Sequence, residues 1–155
     1  MRLAVWVTNG LLVPGESVVN LMAAPVTNHP PKTLRIFLVE NHRDTLEYMQ
    51  MYLEMSGHTV CSADSMTKAL AAVPEADCDV LISDIGLPDG DGWMLMRLLQ
   101  LTRPIYAVAM SGFGMREDHL KSQEAGYRHH LLKPIDPKQL DAALDEAARE
   151  LPVMR

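Results

Sequence analysis

The sequence predicts an α/β domain, in which a five-stranded parallel sheet carries helices on both faces. Five short apolar runs alternate with five segments whose apolar residues recur at spacings of three and four, and no element of that alternation is missing. The central run, residues 80–82, lacks the apolar–polar alternation of a strand with one wet face, as expected when both faces are covered. Right-handed crossovers should place helices on both sides of the sheet.

The first half of the chain contains three predicted strands and two predicted helices. The strands span 34–39, 59–63 and 79–84, and the helices span 44–56 and 65–73. Gly57 ends the first helix, and Ser65 is placed to cap the second. The first helix is expected to turn one face towards the core. The residues on that face are Thr45, Tyr48, Met49, Tyr52, Leu53 and Ser56.

The second half of the chain continues the alternation. The predicted strands span 105–110 and 128–132, and the predicted helices span 93–101, 117–125 and 137–151. Asp91 is placed to cap the third helix, and Gly126 ends the fourth. Asp136 is placed to cap the last helix, with Pro137 in its first turn.

Composition narrows the class of protein. Of the 155 residues, 48% are apolar and 22% are charged, which is an ordinary mix for one folded domain. The formal net charge of −6 argues against broad nonspecific binding to nucleic acid or acidic lipid. No apolar run approaches the roughly 18 residues needed to cross a bilayer. Cys61 and Cys78 are expected to be reduced and packed as small hydrophobes, although the sequence leaves a disulfide between them open.

The first 33 residues differ in character from the rest. Residues 1–33 are expected to be an extension that is flexible or partly an artefact of start-site assignment, and the stretch 24–32 contains three prolines, which is typical of an extended linker. The folded domain is expected to span 34–152. Because 22 residues follow Lys133 and the last helix uses most of them, no separate output domain is expected.

Polar residues follow the predicted strands where each one ends. Asp84 closes the third strand, Glu40 and Asn41 follow the first, Ser111 follows the fourth and Lys133 follows the fifth. Parallel sheets bind ligands beyond the carboxyl ends of their strands. Two carboxylates suit Mg²⁺, lysine adds a mobile positive charge, and a serine hydroxyl can bond a phosphoryl oxygen. Since aspartate can form an acyl phosphate, the set predicts a phosphoryl-transfer site.

The segments FLVEN, LISDIGLPDGDG, AVAMSG and HHLLKPID carry a family resemblance. They occur in order, each at a strand end, and the chain from about 34 to 151 resembles the receiver domain of bacterial response regulators. The resemblance implies a three-layer, doubly wound, flavodoxin-like sheet with strand order 2-1-3-4-5, as in the CheY-like proteins. It also implies a place in two-component signalling or a phosphorelay.

The resemblance implies a role for each matching residue. Asp84 is implied to be the phosphoacceptor, which takes its phosphoryl group from a histidine of a sensor kinase or a phosphotransfer protein. Mg²⁺ is implied to bind Glu40, Asp84 and the main-chain carbonyl of Gly86, while Asn41 either coordinates the cation or ties down its loop. Lys133 is implied to contact the phosphate, and its bond to the next proline is commonly cis in the family.

Two further positions are implied to carry the response to phosphorylation. Ser111 matches the hydroxyl that moves towards the phosphate, and His130 matches the aromatic residue that then turns inward. Phe113 is expected to shield the phosphate from water. A transition-metal cluster of His42, His129 and His130 is disfavoured, because neighbouring residues of a strand point to opposite faces.

The chain departs from the family pattern at two positions. Asn41 replaces an aspartate that usually ligates the metal, so weaker Mg²⁺ binding is expected. Gly90 replaces a larger residue, which predicts a looser loop. Asn41 therefore leaves a second interpretation open, a degenerate receiver that binds proteins without being phosphorylated. A phosphatase or a flavin protein is a weaker third alternative, because Gly86 stands where such phosphatases have an acid and ENHRDT stands where a flavin phosphate loop would be.

The phosphoacceptor interpretation also predicts how the protein works in the cell. Because its aspartate is consumed in each cycle, the protein is expected to be a signalling domain and not a turnover enzyme. It is expected to be cytoplasmic and to pass its signal to a downstream protein or along a phosphorelay, without direct nucleic-acid binding or membrane insertion. The sequence leaves the formation of a homodimer open.

Overall fold

A computed structural model describes residues 32–112 and 114–151. Its main element is a five-stranded sheet whose strands are all parallel and follow the order β2-β1-β3-β4-β5. The five strands are β1 (Arg35–Val39), β2 (Thr59–Ala63), β3 (Val80–Asp84), β4 (Tyr106–Ser111) and β5 (His129–Leu132). The α/β prediction and the implied strand order are confirmed, and each strand end lies within one residue of its predicted position.

Five helices connect the strands. They are α1 (Arg43–Met55), α2 (Met66–Ala72), α3 (Gly92–Gln100), α4 (Arg116–Ala125) and α5 (Pro137–Glu150). The predicted caps are confirmed, because the side chains of Ser65, Asp91 and Asp136 each accept a hydrogen bond from a main-chain N–H in the first turn of the following helix. Gly57 and Gly126 adopt the left-handed conformation just beyond α1 and α4, as predicted.

The core has two halves, one on each face of the sheet. Phe37 and Leu81 point into the half covered by α3, and their strand neighbours Leu38 and Ile82 point into the half covered by α1 and α5. All five residues of β3 are buried, which explains why its sequence does not alternate.

The buried face of α1 differs from the predicted one. Met49 and Leu53 are buried as predicted, and Leu46 packs beside them. However, Tyr48 is 63% exposed and Ser56 is also exposed, so the predicted face is too wide. The apolar spacing did not distinguish a tyrosine in the core from a tyrosine over a surface groove.

The loop after β3 contains an element that was not predicted. Residues Gly86–Leu87 and Gly90–Asp91 form a small antiparallel ladder. The Asp89 carboxylate accepts hydrogen bonds from the main-chain N–H groups of Met66 and Thr67, at the first turn of α2. A Cβ at Gly90 would lie 2.6 Å from the Met66 thioether. The loop is thus anchored to α2, and Met66 fills the space beside Gly90.

The prediction for the two cysteines is right for one of them. Both cysteines are free, and Cys78 is buried as predicted, whereas Cys61 is exposed on the edge strand β2, so its predicted packing is wrong.

Most of the proposed extension, residues 1–31, lies outside the described residues. In the part of the chain that the structure describes, no helix is long and apolar enough to span a bilayer.

Gly92 allows α3 to begin directly against the end of β3. A Cβ at this position would lie 2.5 Å from the Asp84 carbonyl oxygen and 2.9 Å from the Ile85 Cα, which are main-chain atoms that cannot move aside. We therefore expect Gly92→Ala to lower the free energy of unfolding by about 2 kcal/mol, measured by urea denaturation. Gly112→Ala is the matched control, because an added Cβ there meets no atom of the described residues within 4 Å. Equal stability of the two variants would contradict the expectation.

We expect His58 to make the free energy of unfolding depend on pH. Its Nδ1 accepts a hydrogen bond of 3.2 Å from the Leu34 N–H, and burial lowers its pKa from the ordinary 6.5, with Asp141 and Asp145 opposing part of that effect. Below pH 6.5 the unfolded chain binds a proton that the folded chain resists, so the stability that neutral His58 contributes is lost as pH falls from 6.5 towards the folded pKa.

The test is the variant His58→Asn, whose amide oxygen can accept the same bond without titrating. The difference in unfolding free energy, wild type minus variant, should decrease between pH 7.5 and 5.5. A difference that stays constant across that range would rule out this role for His58.

Candidate functional site

The predicted site residues lie together at the carboxyl edge of the sheet. Asp84 is the last residue of β3 and Ser111 the last of β4, while Glu40 and Lys133 follow β1 and β5 directly. Glu40, Asp84 and Ser111 are buried, at 0%, 7% and 1% exposure. Carboxylates are rarely buried without a partner, so the partners of these two define the site.

One ammonium group bridges the two carboxylates. Lys133 Nζ donates to Glu40 Oε2 at 2.6 Å and to Asp84 Oδ2 at 2.9 Å. Burial by itself would lower the pKa of Lys133, but the hydrogen bonds to Asp84 and Glu40 outweigh it, so the pKa is raised and the group stays charged. Two carboxylates and one ammonium leave the site with one net negative charge.

The other oxygen of each carboxylate is held by the main chain. The His42 N–H donates to Glu40 Oε1 at 2.9 Å, and the Gly86 N–H donates to Asp84 Oδ1 at 3.0 Å. In both cases the donor lies two residues after the acid, which is the spacing of an Asx-type turn. Both carboxylates are therefore oriented by bonds to all four oxygens, although each oxygen keeps a lone pair for a further partner.

Ser111 and Lys133 are joined through their main chains. The Lys133 N–H donates to the Ser111 carbonyl oxygen at 2.8 Å, which extends the β4–β5 ladder to the edge of the site. The Lys133–Pro134 bond is cis, as the resemblance implied.

A groove of about 460 Å³ opens beside Lys133 and runs along α1, where Thr45, Tyr48 and Met49 line it.

The donor set fits a hard divalent cation. Glu40 and Asp84 supply carboxylate oxygens, and main-chain and amide oxygens of Gly86 and Asn41 lie next to them in sequence, which is the ligand chemistry that Mg²⁺ prefers. In residues 32–112 and 114–151, no three His, Cys, Asp or Glu side chains gather where they could hold a metal. The site thus offers two side-chain anions, and Asn41 is exposed beside them.

His129 and His130 point to opposite faces of β5, as predicted. The Nε2 atom of His129 lies 3.0 Å from the Tyr106 hydroxyl and 3.1 Å from a Glu146 oxygen, on the α5 side. The Nδ1 atom of His130 lies 2.7 Å from the Ser122 hydroxyl of α4. The structure therefore does not bring these two histidines together. Phe113 lies outside the described residues.

Sequence reasoning missed two hydroxyl groups that donate to main-chain carbonyl oxygens at the end of β3 and the start of α3. Tyr127 is buried, and its hydroxyl donates to the Gly92 carbonyl oxygen at 2.7 Å, at the start of α3. The Ser83 hydroxyl donates to the Asp84 carbonyl oxygen at 2.9 Å. Tyr127 and Gly92 are 35 residues apart, so no local pattern could have indicated the contact. By contrast, the spacing of two residues between each acid and its main-chain donor was a usable signal.

Comparison with known proteins agrees with this geometry. Residues 36–145 match the family model described as the response regulator receiver domain. The chain is 29% identical over 123 residues to the phosphate regulon transcriptional regulatory protein PhoB of Klebsiella pneumoniae, an alignment that covers 77% of this chain and 54% of PhoB. It is 28% identical over 114 residues to the KDP operon transcriptional regulatory protein KdpE of Escherichia coli, covering 74% and 51%. The chain thus spans about half the length of these relatives.

Solved structures give the same result. A two-component response regulator from Clostridium difficile superposes with a TM-score of 0.73 at 23% identity, covering 77% of this chain and 98% of that one, which shows the shared fold. A CheY-like receiver domain protein from Methanospirillum hungatei superposes with a TM-score of 0.69 at 26% identity, covering 77% and 100%. With the family model matched over most of the chain, the protein belongs to the response regulator receiver domain family.

Proposed function

We propose that the chain is a phosphoacceptor that takes a phosphoryl group onto Asp84 from a phosphohistidine donor. The observation that carries the proposal is the Lys133 ammonium, which lies within 2.9 Å of Asp84 and 2.6 Å of Glu40 at the end of a buried strand. A permanent positive charge beside a carboxylate nucleophile can stabilise the negative charge that moves between donor and acceptor during phosphoryl transfer.

The proposed transfer exchanges one bond to phosphorus for another. A carboxylate oxygen of Asp84 forms a bond to phosphorus while the bond between phosphorus and the donor imidazole nitrogen breaks, and the imidazole keeps the electron pair. The Gly86 N–H holds the other oxygen of Asp84, which fixes the direction of attack. Lys133 remains beside the site and can exchange its bond to Asp84 for one to a phosphoryl oxygen.

Glu40, Asp84, the carbonyl of Gly86 and the amide of Asn41 are the proposed ligands of Mg²⁺. When bound, this ion supplies positive charge that neutralises the phosphoryl oxygens. Because Asn41 contributes no charge, the chain's own residues leave one net negative charge to attract the cation. The affinity for Mg²⁺ should therefore be lower than in a site that has an acidic residue at both position 40 and position 41.

The proposed partners are a sensor histidine kinase or a histidine phosphotransfer protein and a downstream protein target. The aspartyl phosphate is made once and then passed on or slowly hydrolysed, so the chain acts as a signalling domain and not as a turnover enzyme. Phosphohistidine donors are made with ATP, which places the proposed exchange in the cytoplasm. Ser111 and His130 are the proposed groups that respond to the phosphate.

A specific observation also favours a second candidate, a receiver that binds a protein without being phosphorylated. Lys133 already donates hydrogen bonds to both carboxylates, and residue 41 is an asparagine where the family usually has an aspartate. The negative charge that would attract a cation is therefore partly neutralised by the chain's own side chains. In that case the geometry of the family would be kept for recognition alone.

Incubation with acetyl phosphate and Mg²⁺ separates the two candidates. We expect the mass of the wild-type protein to increase by one phosphoryl group, because Asp84 is oriented and flanked by Lys133. Asp84→Asn keeps the size of the side chain but removes the nucleophile, and its mass should not change. If the mass of the wild-type protein stays unchanged over a range of Mg²⁺ concentrations, the phosphoacceptor proposal is wrong and the second candidate is favoured.

Asn41→Asp should tighten Mg²⁺ binding by about ten-fold or more, because it adds a charged oxygen ligand to the site. The affinity is measured by titration with Mg²⁺, following amide shifts in NMR spectra. Gln123→Glu is the control, since it adds the same charge on the exposed surface of α4. Equal changes in both variants would show that net charge, and not a ligand at residue 41, is responsible.

A further inference from the structure

A chain of polar contacts joins α3, α4 and β5 on one face of the sheet. The Trp93 indole Nε1 donates to the Ser122 hydroxyl oxygen at 2.9 Å, and the same oxygen lies 2.7 Å from His130 Nδ1. Ser122 is 1% exposed, whereas Trp93 and His130 are half-buried, so the two bonds lie at the edge of the core. We call Trp93, Ser122 and His130 the relay.

The chemistry of Trp93 and Ser122 fixes the direction of one bond. An indole nitrogen can only donate, so the Ser122 oxygen accepts from Trp93. The same hydroxyl oxygen is hydrogen-bonded to His130 Nδ1. One buried hydroxyl thus serves partners on α3 and on β5, and breaking either contact would remove one of its hydrogen bonds.

A second contact holds His130 on the same side. The ring of His119, on α4, lies against the His130 ring with centroids 4.2 Å apart and planes inclined by 32°. At the other end of the relay, the Lys121 ammonium lies 5.2 Å from the centre of the Trp93 ring. Both contacts come from α4, so this helix is tied to its neighbours on both sides.

These polar contacts are a large part of what attaches α4. Of its ten residues, Ser122 and Ala125 are the buried ones, whereas α3 buries Leu95, Met96 and Leu99. A helix with so little buried apolar surface is the kind of element that shifts at low energetic cost. The relay is therefore placed to decide where α4 lies.

We propose that Ser122 is a positioning residue for the switch: it holds His130 against α4 and α4 against α3, and phosphorylation of Asp84 acts by releasing this relay. The inference rests on the proposed function, because it names the contact through which that site is regulated. Trp93 follows Gly92, where α3 meets the end of β3, so the relay begins near the phosphoacceptor and ends at the switch residue. The proposal predicts that the conformation in which these contacts are broken is the one that is phosphorylated more readily.

The first test follows the Trp93 indole N–H resonance. We expect fluoroberyllate with Mg²⁺ to move this resonance upfield, because the hydrogen bond to Ser122 is lost, with Trp93→Phe assigning it against the other tryptophan. Ser122→Ala without fluoroberyllate should show a similar upfield position. An indole resonance that stays in place, while other amides near Asp84 move, would overturn the proposal.

The second test measures the rate of phosphorylation by acetyl phosphate. Ser122→Ala should raise this rate about five-fold, which is the population change that one ordinary hydrogen bond controls, with Mg²⁺ affinity unchanged. Ser122→Cys, which has a similar shape but forms only weak hydrogen bonds, should behave in the same way, and Gln123→Ala on the exposed side of the same turn should match wild type. A rate equal to or below that of wild type in both Ser122 variants would refute the positioning role.

The two proposals fail in different ways. If wild-type Asp84 takes no phosphoryl group, the proposed function fails first. If wild type is modified but the relay variants and the indole resonance do not respond, the proposed function stands and the role of Ser122 falls.

Discussion

The ion bridge from Lys133 to Glu40 and Asp84 is the interaction on which the site depends. Two buried carboxylates at neighbouring strand ends would repel each other, and removing a cation from between them would leave uncompensated charge in the interior. Lys133 reaches both from the end of β5, although it lies 93 positions after Glu40 in the chain. The bridge therefore connects the strands β1, β3 and β5 at the edge where parallel sheets bind ligands.

The surrounding main chain fixes the orientation of the Asp84 carboxylate. Asp84 is held by Lys133 at one oxygen and by the Gly86 N–H at the other, while Gly92 lets α3 approach its carbonyl group closely. The carboxylate thus sits on a rigid strand end and not on a loose loop. The site combines a fixed carboxylate with a low local charge, and the proposals on Mg²⁺ and on phosphorylation both follow from that combination.

The face of α4 is organised differently from the faces of α1, α3 and α5. Those three helices bury leucine, methionine or alanine side chains, whereas α4 buries Ala125 and is otherwise held by contacts of a hydroxyl with an indole and an imidazole and by a contact between two imidazole rings. Polar contacts of this kind specify one arrangement but can be exchanged for others without exposing much apolar surface. We therefore expect α4 to shift more readily than α1, α3 or α5 when the site changes.

Sequence alone determined the order and limits of the strands and helices, the helix caps and the strand-end position of Asp84, Glu40, Ser111 and Lys133, because periodicity and capping depend on residues within one or two turns of each other. It did not decide which face residues of α1 are buried, that Cys61 is exposed, or that Met66 fills the space at Gly90. The ion bridge, the bond from Tyr127 to Gly92 and the relay were decided by tertiary structure alone. Their partners lie between 8 and 93 residues apart along the chain, and only the strand order and the packing of helices on the sheet bring them within hydrogen-bonding distance.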